Sequence, residues 1–209
     1  MRKIILASGS QRRKDLLEFL GLPFEVVVSD FPEEEVDFSE FTSSREYVAT
    51  LASGKALMVA SQFEDALIIG ADTMVFLEGR PFGKPKDLDH AREMLKELRG
   101  EAHEVITSVF VIDTLTGEQN IETVTTLVTF FDFTDRELDL YISTSESLGK
   151  AGAYAIQQGA KQFVRSIEGS VSSVVGLPLL ETAGLLEQLG VSIGVDVRGI
   201  EEREFSVFV

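Results

Sequence analysis

Cysteine is absent from the 209-residue chain, and histidine occurs only twice, at His90 and His103. Disulfides, thiolate catalysis and Cys-ligated zinc are thereby excluded, as is a histidine-rich metal site, so any bound metal must be held mainly by oxygen. Long apolar runs are missing too: runs such as residues 3–7 and 66–70 fall far short of the roughly 20 residues that cross a bilayer. Met1-Arg2-Lys3 is followed at once by a short strand-like run, without the apolar length or cleavage site of an export signal. The expectation is a cytoplasmic protein with no membrane span. Basic residues are scarce, 19 against 35 acids, giving a formal net charge of −16. So acidic a surface repels a phosphodiester backbone and argues against polymeric nucleic acid as a partner. A small phosphorylated ligand remains open wherever a few Lys and Arg gather in one cleft.

Strand-like and helical patterning alternate along the chain. Ile4, Ile5 and Leu6 read as a buried strand, followed by the small, polar Ser8-Gly9-Ser10 and by Leu16, Leu17 and Leu20 at helical spacing, closed by Gly21. Residues 24–28 read as a second strand, and 30–41 as a long acidic loop. Ser43 and Glu46 have capping-box spacing and open a helix to about Ser61 that stacks Tyr47, Leu51 and Lys55 on one side. Residues 67–71 form a strand that continues extended from Met74 to Leu77, before a turn at Glu78-Gly79 and a loop at Gly83-Lys84-Pro85. Asp87 caps a helix that ends at Gly100. Residues 105–112 and 121–131 flank Thr116-Gly117 as an antiparallel pair; 134–142 and 179–189 read as helices, and 162–167 as a further strand. The expected fold class is α/β, a mixed sheet with flanking helices in a single domain over residues 1–209, without repeats or a clear linker.

Three segments carry the residue types of phosphate chemistry. In Ser8-Gly9-Ser10-Gln11-Arg12-Arg13, free N–H groups and the helix dipole favour an anion, and two arginines add forked hydrogen bonds; the plainer reading is a serine-capped helix with solvated arginines. Asp72, in Gly70-Ala71-Asp72-Thr73, stands at the exit of a hydrophobic strand, where an acid holds a metal or takes a proton from water, or else merely caps a turn. Lys84, set before Pro85, projects from an extended backbone. Glu33, in a run of three acids, is a candidate second carboxylate for a hard cation, although such runs are more often solvated. Neither histidine lies near other catalytic signals, and residues 169–173 lack the G-x-S-x-G elbow of a serine hydrolase. Phe130, Phe131 and Phe133 read as core.

Taken in order, these segments resemble the Maf family of nucleotide pyrophosphatases along nearly the whole chain. The matching text is residues 6–17 (LASGSQRRKDLL), Glu46-Tyr47-Val48, Leu51-Ala52, Lys55-Ala56, residues 70–73 (GADT), 83–85 (GKP), 150–157 (KAGAYAIQ) and 174–178 (VVGLP). The resemblance implies an elongated two-lobed fold with a central cleft, similar to inosine-triphosphate pyrophosphatases, and often a homodimer. It implies a nucleoside triphosphate substrate, with the segment ending at Gln157 pointing to the branch acting on dTTP and UTP. On that basis Asp72 is the proton acceptor, and Arg12, Thr73 and Gln157 set base preference. Ser8, Ser10, Arg12, Arg13, Lys55 and Lys84 bind phosphate, and Asp72 with Glu33 holds a divalent cation, Mg²⁺ or Mn²⁺. The chain departs from the family pattern at Phe31-Pro32, Gly149 and Gln158. Two rival functions remain: a nucleotide-binding regulator of septum formation without turnover, and housecleaning of other non-standard nucleoside triphosphates.

Overall fold

The protein is described here by a computed structural model covering residues 2–205. In chain order its elements are β1 (Lys3–Leu6), α1 (Gln11–Glu18), β2 (Glu25–Val26), α2 (Ser44–Ala60), β3 (Ala66–Leu77), β4 (Arg80–Phe82), α3 (Leu88–Leu98), β5 (Ala102–Asp113), β6 (Gln119–Phe130), α4 (Asp135–Ser143), β7 (Val164–Glu168), α5 (Val171–Val175), α6 (Leu179–Gln188) and α7 (Val197–Phe205). Six strands form the path β2-β1-β3-β5-β6-β7, and β4 pairs with β3 off that path. The pairings of β1 with β2 and β3 are parallel, and all others are antiparallel. This is the mixed α/β sheet expected. Helix α2 covers one face, packing Ala52, Ala56 and Val59 against Ile5, Ile68 and Phe110. The other face carries the larger core, where Leu16, Leu17, Leu95, Leu98 and Leu186 lose nearly all exposure. Each such side chain contributes about 1.5–3 kcal/mol on burial. No helix among the described residues is long and apolar enough to cross a membrane.

The feature that positions the site is a gap along one edge of β3. Strand β1 stops at Leu6, opposite Ile69, and β4 stops at Phe82, opposite Val75. Between them residues 70–74 keep β5 on one side, while on the other the chain turns away through loops 8–10 and 83–85. Asp72 therefore does not stand at a strand exit. Strand β3 runs straight through it, paired with Ser108, and what ends there is the pairing with β1. Ligands of α/β sheets bind where neighbouring strands part in this way.

Other differences from expectation are local. Strand β2 covers only Glu25–Val26, because β1 offers no partner beyond Leu6, and Val28 is 61% exposed. The capping box expected at Ser43 and Glu46 does not form: Ser43 Oγ accepts from the Arg45 N–H at 3.2 Å. Thr134 and Glu137 make one instead. The last strand begins at Val164, after a 3₁₀ turn over Gly159–Phe163, and α5 and α7 were not anticipated. Phe130 and Phe133 are core, whereas Phe131 is half-exposed.

Candidate active site

Gly70 lets α2 lie almost on the backbone of β3. A Cβ there would stand 2.4 Å from the Ala52 carbonyl oxygen and 2.7 Å from the Ala56 Cβ. Residues two apart on a strand share a face, so Asp72 points the same way as Gly70, toward the helix that carries Lys55. The result is a buried ion pair, Lys55 Nζ to Asp72 Oδ1 at 2.5 Å. Lys55 also donates to Glu33 Oε2 at 2.7 Å, and Lys84 reaches Glu33 Oε1 at 3.1 Å. Glu33 arrives from loop 30–41, which is held by Phe31 against Gly54 of α2 and by Phe38 and Phe41 against Tyr47. Burial raises the Glu33 carboxyl, but the bonds from Lys55 and Lys84 outweigh it and hold the group below the ordinary carboxylate range. Asp72 Oδ2 makes no protein hydrogen bond among the described residues, and Asp72 borders open space.

On the opposite face, Ser10 caps α1 by accepting from the Arg13 N–H. The Arg13 guanidinium is spread over three acceptors: the Gly176 carbonyl at 2.9 Å, Ser8 Oγ at 3.3 Å and Thr73 Oγ1 at 3.3 Å. Thr73 in turn bonds Thr107, its direct cross-strand partner, at 3.0 Å, and Thr107 donates to the Ser173 carbonyl at 2.7 Å. One chain of polar contacts thus ties α1, β3, β5 and α5 together. Burial lowers the Arg13 pKa, an effect that Asp72 and then Glu33 oppose.

These groups surround a cavity of about 390 Å³, within the range of roughly 300–1,000 Å³ that accommodates small ligands. Five cationic side chains, Arg12, Arg13, Lys55, Lys84 and Lys150, line it against two carboxylates, Glu33 and Asp72. The cleft is thus locally positive in a chain of net charge −16. Gln157 reaches the cavity from the segment after α4, hooked to the Lys84 loop by the Gly152 N–H donating to the Gly83 carbonyl at 3.2 Å. The histidines lie elsewhere. His103 is buried behind the wall, its Nε2 2.9 Å from the Tyr154 hydroxyl, and His90 accepts from the Lys86 N–H.

A family model described as Maf-like protein matches residues 3–189. A dTTP/UTP pyrophosphatase of Bacillus cereus is 44% identical over 92% of this chain and 98% of its own. One of Pelotomaculum thermopropionicum is 42% identical over 92% of this chain and all of its own. The chain belongs to the Maf-like protein family. Among solved structures, the Ham1 protein of Staphylococcus aureus aligns over 63% of this chain and 73% of its own with a TM-score of 0.43 at 15% identity, a partial likeness only.

In this Maf-like protein most of the matching segments wall the cleft, whereas Tyr47, Val48, Leu51 and Ala52 pack into the core. Ser8, Ser10, Arg12, Arg13, Glu33, Lys55, Asp72, Thr73, Lys84 and Gln157, all singled out from sequence, line one cavity. Sequence reasoning passed over Lys150 as a cleft cation, the Tyr154 ring, Thr107 and the Gly176 carbonyl. Lys150 and Tyr154 belong to the matching segment 150–157, which was the available signal. Thr107 had none, being one β-branched residue in a β-branched strand.

Proposed function

We propose that this Maf-like protein is a nucleoside triphosphate pyrophosphatase that hydrolyses dTTP and UTP to the monophosphate and pyrophosphate. The observation that carries the reading is a single cavity in which Asp72 lies among Lys55, Lys84 and two arginines. The name dTTP/UTP pyrophosphatase borne by relatives more than 40% identical supports the substrate. In the reaction, water attacks the α-phosphorus, the bond to the oxygen bridging toward the β-phosphorus breaks, and pyrophosphate leaves with the electron pair. Asp72 orients the water or accepts its proton through the oxygen not bonded to Lys55. Lys55 and Lys84, with the charge of Arg13 behind them, neutralise the charge that grows on the leaving group. An entering triphosphate competes with Glu33 for both lysines.

The donor set fits a hard divalent cation. Asp72 and Glu33 place oxygens 2.5 and 2.7 Å from the same Lys55 Nζ, around a common point. Mg²⁺ and Mn²⁺ take one or two protein carboxylates and keep water and substrate phosphate as their other ligands. Asp72 and Glu33 would hold the ion. When bound, it supplies polarisation of phosphoryl oxygens and charge neutralisation.

Gln157 is exposed at the cavity wall, and its carboxamide offers the donor and acceptor that match O4 and N3–H of uracil and thymine. Pyrophosphate release measured over dTTP, UTP, CTP and ITP with Mg²⁺ or Mn²⁺ tests the reading. The expected result is preference for dTTP and UTP, with Gln157→Ala losing up to about a hundredfold of it, the worth of one or two buried polar mismatches. Equal rates over the panel, or indifference to Gln157→Ala, would contradict it.

A further inference from the structure

Two cations of the cleft have no ion-pair partner among the described residues. Among the described residues neither Arg12 nor Lys150 makes a side-chain hydrogen bond or ion pair, whereas Arg13, Lys55 and Lys84 each donate to protein acceptors. Both line the cavity and both are partly buried. Lys150 is preceded by Gly149, which brings no side chain of its own, and Glu146, an acid whose charge it feels, uses Oε2 to accept from the Gly159 N–H at 2.8 Å. Burial first, and then Arg12, lowers the Lys150 pKa, with Glu146 opposing. Two desolvated like charges facing one cavity destabilise the empty protein, and an anion set between them removes that cost.

The electrostatics also divide the cations of the cleft into two groups. Lys55 and Lys84 share the carboxylates directly, and Arg13 feels both Asp72 and Glu33. Among the described residues Arg12 and Lys150 bond to neither carboxylate. Hydrolysis at the α-phosphorus likewise divides the substrate into two anions, and the two groups of cations match the two products.

Resting on the proposed function, we infer that Lys150, together with Arg12, holds the α-phosphate and therefore the nucleoside monophosphate, while Lys55 and Lys84 take the departing pyrophosphate. Lys150 thereby becomes a binding residue for one product and not the other, a distinction that a merely structural lysine does not produce.

The test is calorimetric titration of the full chain with UMP and, separately, with magnesium pyrophosphate, for the parent, Lys150→Met, Lys150→Gln and Lys150→Arg. Lys150→Met and Lys150→Gln are expected to weaken UMP by about tenfold or more and leave pyrophosphate unchanged, while Lys150→Arg restores UMP. The thermal midpoint of nucleotide-free Lys150→Met should equal or exceed that of the parent, because a repulsion has gone. Unchanged UMP affinity, equal weakening of both ligands, or a lower midpoint overturns the assignment. UTP turnover by the parent is measured alongside: its absence sinks the proposed function, whereas turnover with undiminished UMP binding in Lys150→Met sinks this inference alone.

Discussion

Arg12 and Arg13 are adjacent in sequence, yet their surroundings differ. Arg13 is committed to three acceptors, one in the loop before α1, one on β3 and one just after α5, and Arg12 to none among the described residues. Arg13 thereby ties Thr73 and the wall just after α5 to α1, and under the proposed function Arg12 is the arginine with donors left for substrate. A lysine cannot reproduce the planar fork, so Arg13→Lys is expected to cost about 1–3 kcal/mol in urea unfolding, as buried acceptors lose their donor. An unchanged unfolding midpoint would count against that role. The sequence showed two arginines at a helix start but not which was free, because the Gly176 carbonyl lies 163 positions away along the chain. Glu33 was hard to read for a similar reason. A run of three acids looks solvated until Phe31 is found packed against Gly54.

At the scale of elements, the glycines of the α2 contact carry much of the geometry. A Cβ at Gly54 would lie 2.4 Å from the Phe31 ring, a side chain able to move aside, taking loop 30–41 with it. Alanine in place of glycine favours the helix by about 1 kcal/mol. Gly54→Ala should therefore leave the thermal midpoint almost unchanged while raising the nucleotide KM by about tenfold, the worth of a displaced charge-assisted bond at Glu33. An unaltered KM would show that the loop does not depend on this seat. Behind the cleft, burial drives the His103 imidazole down to about 4 from 6.5, against a weaker opposing pull from the Glu101 backbone. A folded-state pKa below the unfolded one means that stability is complete above pH 6.5 and is lost as pH falls toward 4, by about 3 kcal/mol at most. His103→Gln should flatten that part of the stability profile between pH 6.5 and 4, as followed by urea unfolding at each pH. A profile as steep as the parent's would locate the titrating group elsewhere. The long strands, α3 and the mixed sheet were legible because β-branched runs and a helical apolar stripe state themselves locally. The gap opposite residues 70–74 was not, since it depends on where two other strands stop.

Over the whole molecule, the candidate site residues read from sequence converge from six separate stretches of chain, none diagnostic alone. Sequence reading collected them through the order of their motifs, and folding supplies the physical reason: β3 carries Asp72 past the ends of β1 and β4, and α2 lays Lys55 across it. The same assembly explains how a protein of net charge −16 receives a polyanion, by gathering five of its 19 basic residues in one cavity. The central claim is that Asp72 acts on water and is not needed merely to hold nucleotide. Its most direct test is pyrophosphate release from UTP by the parent and by Asp72→Asn, with UTP affinity measured on both. The account predicts that Asp72→Asn lowers kcat by about 10²–10⁴-fold while UTP binding stays within a few-fold of the parent. Turnover that survives Asp72→Asn, or a parent that binds UTP and never releases pyrophosphate, would contradict it.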